Sequence, residues 1–255
     1  MITDYYRPDT LEEALQLITH PKTYPMGGGT FLNQQEGRFS VVDLQALKLN
    51  TIRKTGTTLS IGSMVTLQKL FESDLTPPAL KLSISLELPL NLRNMATIGG
   101  SLVICAGRSP FLGSLLAMDA SIILNEDEKL SLGDFLTLRE KGIGGKIITK
   151  LNLRTDMSLA YEQISRTPAD KPILYTSLAY WSSSRIRLVL GGWGKLPSLA
   201  LDGQTNAADL EQVIMRAAMN AAHDASDEWA SREYRLEMAP ILAKRCLEYC
   251  IQNTK

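Results

Sequence analysis

Two short glycine-rich segments, each ending in a hydroxyl residue, constrain this chain more than any other feature. They are Met26-Gly27-Gly28-Gly29-Thr30 and Thr97-Ile98-Gly99-Gly100-Ser101. Glycine adopts positive φ and lets the main chain approach a ligand closely. Consecutive amides in such a turn can hold a phosphate, and a Thr or Ser hydroxyl adds a donor. The pair predicts a ligand with two phosphates, such as a dinucleotide, although either turn alone is also consistent with a tight connection that binds nothing.

Neither segment follows the familiar dinucleotide patterns. The fingerprint G-x-G-x-x-G requires a third glycine that the first segment lacks, and the chain has no G-x-x-x-x-G-K-[ST] sequence. The nearest stretch to the latter, Gly142-Ile143-Gly144-Gly145-Lys146, is interpreted as a loop before a strand at Ile147–Lys150. A Rossmann or P-loop fold is therefore not expected.

Composition excludes several classes of function. At 255 residues the chain can form one large domain or two modest ones. Its formal net charge is zero, so we expect no nucleic-acid partner. No apolar run reaches the roughly 18 residues that would indicate a membrane span, and residues 1–6 do not resemble a signal peptide. We therefore expect a cytoplasmic protein with no membrane contact.

The cysteines and histidines do not predict a metal site or a catalytic residue. The three cysteines, Cys105, Cys246 and Cys250, cannot supply the four ligands of an iron–sulfur cluster. Cys246 and Cys250 lie four residues apart on a predicted helix, and we expect both to be buried thiols on one apolar face. The two histidines, His20 and His223, are interpreted as structural or surface residues.

The first 155 residues mix short strands and helices. Apolar periodicity and capping residues predict a helix over Thr10–Ile18, a second from Thr66 to Phe71, a third from Pro77 towards Glu87 and a fourth over 110–120. Strands are predicted at Thr23–Met26, Ser40–Leu44 and Ser121–Leu124, with a hairpin over 51–62. The two glycine segments lie within this region.

The rest of the chain has a different pattern. Strands are predicted at 159–165, 173–181 and 185–190, with a tight turn at residues 182–184 between the last two. Two helices follow, at about Ala207–Ala222 and Glu233–Ile251. This order predicts a three-stranded antiparallel sheet packed on helices as a second domain.

The segment Leu92-Arg93-Asn94-Met95-Ala96-Thr97-Ile98-Gly99-Gly100-Ser101-Leu102 resembles the second FAD-binding motif of the molybdenum hydroxylase flavoproteins. This family includes the medium subunit of carbon monoxide dehydrogenase and the flavin domain of xanthine dehydrogenase. The first glycine segment is similar to the family's first FAD loop. Weaker similarities continue, in the family's order, from Leu115 to Arg245. The resemblance therefore extends over nearly the whole chain.

The resemblance implies an α+β protein with two domains. Residues 1–155 would form a FAD-binding fold of the PCMH/VAO type, in two α/β subdomains at about 1–50 and 51–155. Residues 156–255 would form the C-terminal domain. FAD would be bound mainly by main-chain amides of both glycine segments, and the hydroxyls of Thr30 and Thr97 would be further donors. The predicted cofactor-binding residues are Met26, Gly27, Gly28, Gly29, Thr30, Phe31, Leu32, Thr97, Ile98, Gly99, Gly100 and Ser101.

The resemblance also implies an oxidoreductase function. Such proteins are usually one part of a three-component enzyme, with a molybdopterin-binding large subunit and an iron–sulfur small subunit as partners. Electrons would pass from the iron–sulfur clusters through FAD to NAD or another acceptor. No catalytic acid or base is required of this chain, because the cofactor carries the redox chemistry.

Three positions depart from the family pattern. Phe31 replaces an Asp of the first loop, Pro110 stands where an Asp usually contacts FAD, and Glu162 stands where a Lys often lies near the flavin. Losing these polar contacts would lower FAD affinity, since a hydrogen bond to a charged group contributes roughly 1.5–3 kcal/mol. Phe31 could compensate in part by packing against the cofactor or the core.

These departures keep a second hypothesis open: a paralogue with weakened or lost flavin binding that acts as an assembly or interaction module. A third, a self-sufficient flavin oxidase or reductase, has less support because no residue is well placed for a covalent flavin link. Trp181 and Trp193 could stack on a flavin, but ordinary aromatic packing is the simpler interpretation.

Overall fold

In the computed structural model, which describes residues 1–204 and 209–253, the chain divides into two compact units. The first unit contains Met1–Leu75, Leu88–Ile104 and Ala120–Leu153. The second contains Thr76–Glu87, Cys105–Asp119 and the chain from Arg154 onwards. Both units mix helices and strands, as expected for an α+β protein.

A small parallel sheet begins the first unit. Its strands are β1 (Ile2–Tyr6), β2 (Thr23–Met26) and β3 (Phe39–Asp43), in the order β1-β3-β2. Helix α1 (Leu11–Leu17) starts at Thr10, whose hydroxyl accepts a hydrogen bond from the Glu13 amide at 3.2 Å. The apolar face of α1 packs on Val42 and Leu44. This sheet places the first glycine segment immediately after β2.

A second sheet of the first unit has five strands, in the order β4-β5-β8-β6-β7. Its strands are β4 (Ile52–Thr55), β5 (Thr58–Gly62), β6 (Ser121–Leu124), β7 (Glu128–Ser131) and β8 (Ile148–Arg154). The predicted hairpin over 51–62 is β4 and β5. Helices α2 (Leu67–Glu72), α4 (Leu90–Arg93), α5 (Ile98–Ile104) and α7 (Leu132–Lys141) belong to the same unit.

The second glycine segment is not a free turn, contrary to the sequence-based prediction. It forms the first turn of α5, and the Thr97 hydroxyl accepts a hydrogen bond from the Gly100 amide at 3.2 Å, as a capping residue does. Two adjacent glycines obscured this helix because glycine has a low helix propensity. The strand β1 was also not predicted, because all of its residues are exposed and no apolar alternation marks it.

The second unit is built on a four-stranded antiparallel sheet, so the prediction of three strands is wrong. The strands β9 (Met157–Ile164), β10 (Leu174–Trp181), β11 (Arg185–Gly191) and β12 (Ser198–Gln204) lie in the order β12-β11-β10-β9. The additional strand, β12, is at the edge of the sheet and has no fully buried residue. Its sequence therefore lacks the apolar run that marks β10 and β11.

Helices cover both faces of this sheet. On one face, Leu174 and Leu178 pack with α8 (Leu210–Ala221) and α9 (Arg232–Asn253) in one apolar core. The other face contacts α6 (Pro110–Ala117) and α3 (Pro78–Glu87). Gly113 of α6 leaves room for the Tyr175 ring, because a β-carbon at position 113 would lie 2.3 Å from it.

Helix boundaries differ from the predictions by a few residues. The helix predicted over 110–120 ends at Ala117, and Asp119 has a φ of 55°. The helix predicted from Ala207 begins at Leu210 within the described chain, and residues 207 and 208 lie outside the described residues. His223 follows α8 rather than lying in it, and is exposed. In the described part of the chain, no helix combines the length and apolar character that crossing a membrane requires.

Candidate functional site

Both glycine segments line a single cavity of about 260 Å³ in the first unit. The first segment contributes Gly27 to Thr30, followed by Phe31 and Leu32, and the second contributes Thr97, Gly99 and Gly100. Pockets that enclose whole small molecules measure roughly 300–1,000 Å³. The cavity is therefore suited to one portion of a dinucleotide rather than all of it.

The first glycine segment packs directly against the second and against the residues just before it. A β-carbon at Gly27 would lie 2.4 Å from the Thr97 hydroxyl oxygen, and one at Gly28 would lie 1.6 Å from the Met95 carbonyl oxygen. Only glycine allows this approach at these two positions. At Gly29 the backbone conformation, rather than packing, favours glycine: its φ is 71°, while a β-carbon there would have nearly open space. The glycines thus hold the two segments together as well as shaping the cavity.

The main-chain amides of the first segment are available to a ligand. From Gly27 to Leu32, no amide donates a turn or loop hydrogen bond to a main-chain carbonyl oxygen of the described residues. All six residues are at least partly exposed. Successive free amides next to a residue with positive φ are the donor arrangement that binds phosphate groups. Thr30 also lines the cavity, and its hydroxyl can donate a hydrogen bond.

The amides of the second segment have internal partners. Ile98 donates to Val65 at 2.8 Å, Gly99 to Ser63 at 2.8 Å, and Ser101 to Thr97 at 2.9 Å, in each case to the carbonyl oxygen. The Gly100 amide is bonded to the Thr97 hydroxyl. The expectation that these amides would hold a phosphate does not fit this hydrogen-bonding pattern. The second segment instead supplies a wall and the Thr97 hydroxyl, which can still donate.

Three predicted residues lie away from the 260 Å³ cavity. Met26 lines a neighbouring, more open cavity of about 530 Å³, on which Arg7, Gly27, Gly28 and Thr97 also lie. Ile98 and Ser101 are buried in α5 and line neither cavity. The structure thus brings nine of the twelve predicted residues, those at positions 27–32, 97, 99 and 100, to one cavity wall.

The three departures from the family pattern have separate structural settings. Phe31 lies on the cavity wall and remains 49% exposed, so it does not pack into the core. Pro110 is buried at the start of α6, directly after Ser109, whose hydroxyl caps that helix. Glu162 lies in β9, paired with Thr176 across the sheet. Of the three, only Phe31 lines the cavity.

Sequence reasoning missed the rest of the wall. Apolar side chains of α5 and β8, together with the residue before β8, face the cavity: Val103, Ile104, Ile148 and Ile147. The sequence spacing of these residues predicts a helix and a strand. It does not predict that their side chains meet at one cavity, since that depends on tertiary packing. Ser63, a buried polar residue just after β5, also lines it. No sequence signal distinguishes Ser63 from an ordinary loop serine.

The three cysteines lie in the second unit, as do Trp181 and Trp193. Cys246 and Cys250 share one buried face of α9, as predicted, and burial raises the pKa of Cys250 to about 12. The Arg185 guanidinium lies 5.1 Å from the centre of the Trp181 ring, and the Arg235 guanidinium lies 5.7 Å from that of Trp193. Among the described residues, no group of three or more His, Cys, Asp or Glu is arranged to hold a metal ion.

Comparison with known proteins identifies the fold and the family. The fold is similar to that of a chain of carbon monoxide dehydrogenase from Hydrogenophaga pseudoflava, with a TM-score of 0.83 and 20% sequence identity. The superposition covers 99% of this chain and 98% of the dehydrogenase chain. The glyceraldehyde dehydrogenase medium chain of Sulfolobus acidocaldarius is 23% identical over 96% of each chain. The uncharacterised protein YgfM of Escherichia coli (strain K12) is 30% identical over 75% of each chain.

The family that the chain matches is one of flavin-binding proteins. Residues 1–153 match the family described as the FAD binding domain in molybdopterin dehydrogenase. Because the match covers more than half of the chain, the protein belongs to this family, and FAD is the cofactor that the family's domain binds. The resemblance noted from the sequence is therefore confirmed.

Proposed function

We propose that this chain is the FAD-carrying electron-transfer subunit of a multi-subunit molybdenum-containing dehydrogenase. The observation that carries the proposal is the run of amides from Gly27 to Thr30, which have no main-chain acceptor among the described residues. They lie on the wall of a cavity that the second glycine segment completes. Membership of the family supports the cofactor. The relative from Sulfolobus acidocaldarius, named as a medium chain, supports the role of a subunit.

Within this proposal, each part of the site has a distinct task. The amides of Gly27 to Thr30 bind the diphosphate, with the Thr30 and Thr97 hydroxyls as further donors. The apolar side chains of α5 and β8 exclude water from the cavity, which strengthens those hydrogen bonds. When bound, FAD supplies the redox chemistry, by accepting electrons from one partner and delivering them to another.

The proposed partners follow from what this chain cannot supply. Its three cysteines fall short of the four thiolates that an iron–sulfur cluster requires. We therefore assign the clusters to a small subunit and the molybdopterin to a large subunit. NAD, or another acceptor, would take the electrons from FAD.

A direct test is the visible absorption spectrum of the purified chain after FAD is added and the excess removed by gel filtration. The expected result is a yellow protein with stoichiometric FAD. Thr30→Val should weaken the binding, because it removes a hydroxyl from the wall and keeps the shape. Thr19→Val is the matched control, since Thr19 bonds to the Gln16 carbonyl oxygen outside the cavity. Co-expression with a molybdopterin-type and an iron–sulfur-type subunit should yield a complex.

The alternative is a flavin-weakened or flavin-free paralogue that acts as an assembly module. The observation in its favour is Phe31, an apolar residue on the cavity wall where the family has an acidic one. A chain that stays colourless in the presence of FAD, yet still joins the large and small subunits, would support this alternative over the first proposal.

A further inference from the structure

Ser63 is held rigidly beside the second glycine segment by both of its main-chain polar groups. Its amide donates to the Thr149 carbonyl oxygen at 3.0 Å, and its carbonyl oxygen accepts from the Gly99 amide at 2.8 Å. A β-carbon at Gly99 would lie 3.0 Å from the Ser63 β-carbon, so the side chain of Ser63 is directly against Gly99. The position of this serine relative to the cavity is thus set by β8 and α5 together.

The Ser63 hydroxyl is a buried polar group without a partner. Ser63 is 2% exposed, and its hydroxyl oxygen makes no hydrogen bond to the described residues. Buried hydroxyls nearly always have a hydrogen-bond partner, because leaving one unsatisfied lowers stability. Among the residues that line the 260 Å³ cavity, Ser63 is the one described residue with such an orphaned side-chain group.

We propose that Ser63 is a cofactor-binding residue whose hydroxyl completes its hydrogen bonding with FAD. This inference rests on the proposed function. The hydroxyl is enclosed without ligand, so it reaches the cofactor by rotation about its Cα–Cβ bond, while the fixed main chain keeps Ser63 on the cavity wall. Ser63 lies outside both glycine segments, so it extends the polar part of the site to the end of β5.

The test compares two buried serines with opposite hydrogen-bonding states. Ser63→Ala removes the orphaned hydroxyl. Ser83→Ala is the control, because the Ser83 hydroxyl is also buried but donates to the Leu80 carbonyl oxygen at 3.0 Å in α3, and Ser83 does not line the cavity. For the full chain, the dissociation constant of FAD and the unfolding temperature without FAD are measured for the wild type and both variants. Ser63→Cys, which keeps a weak donor, is a third variant of similar shape.

The two alanine variants should behave in opposite ways. Ser63→Ala should weaken FAD binding by about tenfold and leave the unfolding temperature of the free protein unchanged or raised. Ser63→Cys should bind FAD with intermediate affinity. Ser83→Ala should lower the unfolding temperature and leave FAD binding unchanged.

A Ser63→Ala variant that binds FAD within twofold of the wild type would overturn the inference and leave the proposed function intact. An unfolding temperature that falls as far as that of Ser83→Ala, with unchanged FAD affinity, would likewise show that the hydroxyl has a structural role only. A wild-type chain that does not bind FAD would overturn the proposed function itself.

Discussion

The main chain at Gly28 lies against the carbonyl group of Met95, so closely that a β-carbon on residue 28 would be 1.6 Å from the Met95 oxygen. The same residues of the first glycine segment therefore meet two requirements, one for ligand binding and one for packing. Its amides remain available for a ligand, while its α-carbons pack on a chain segment almost seventy residues away. Glycine is required at position 28 for packing, whether or not a phosphate is bound.

Gly28→Ala should destabilise the first unit severely. The clash is with main-chain atoms of Met95, which cannot move aside as a flexible side chain can. Overpacking of this kind lowers the free energy of unfolding by about 3 kcal/mol or more. Urea denaturation of the cofactor-free chain measures the loss. Gly144→Ala is the matched control, since its β-carbon would meet no atom within 4 Å, and its change should be within about 0.5 kcal/mol. Equal stability of the two variants would contradict the packing argument.

Phe31→Ala should weaken FAD binding while leaving the fold intact. The ring is half-exposed on the cavity wall, so a bound cofactor would cover apolar surface that is otherwise in water. Losing that contact corresponds to about 1 kcal/mol, or roughly fivefold in affinity. Fluorescence titration with FAD provides the measurement. Leu75→Ala removes a comparably exposed side chain away from the cavity and should have no effect on affinity. An unchanged affinity in Phe31→Ala would show that Phe31 faces solvent in the bound state too.

Arg235→Met should destabilise the second unit by about 3–5 kcal/mol, the usual consequence of breaking a buried ion pair. The Arg235 side chain is fully buried and donates to Asp227 at 2.8 Å and to the carbonyl oxygens of Ile173, Ala225, Ala230 and Gly192. Replacing it with an apolar chain removes the charged partner of Asp227 and takes away the guanidinium donor of these carbonyl oxygens. Thermal unfolding measures the loss.

Arg232→Met serves as the control for Arg235, because Arg232 is exposed one helical turn earlier and its guanidinium is hydrogen-bonded to the exposed His223. Its change in stability should be within about 0.5 kcal/mol. If Arg235→Met were as stable as Arg232→Met, the buried network would contribute no net stability.

Asp227 should make stability sensitive to acid. Partial burial alone would raise its pKa, but hydrogen bonds from Arg235 and from the amides of Trp229 and Ala230 hold the pKa of Asp227 below its usual 3.8. Because the folded pKa is depressed, the stabilisation is complete above the unfolded pKa and is lost as the pH falls through the folded one. Stability measured between pH 6 and pH 2 should therefore fall less steeply below about pH 4 in Asp227→Asn than in the wild type. Identical profiles for the two proteins would refute this assignment.

Local sequence determined the elements that depend on nearby residues. Thr10 and Thr66 begin their helices with capping hydrogen bonds at 3.2 Å, and the hairpin over 51–62 forms as its turn glycine and alternation indicate. The motif around Thr97 was sufficient to indicate the family, because a ligand-binding segment is restricted in composition over consecutive positions. These features could be predicted from the sequence because each depends on interactions between residues close together in the chain.

Tertiary structure decided how distant segments share one site. Nothing in the sequence shows that Gly27 and Thr97 touch, that the second segment's amides are already bonded, or that Ser63 is left with an unpartnered hydroxyl. The edge strand β12 could not be predicted either, because it is stabilised by hydrogen-bond pairing with β11 and has no apolar pattern of its own. Hydrogen-bond pairing and close packing join residues far apart in the chain, so which polar groups remain free for a cofactor is settled only by the folded molecule.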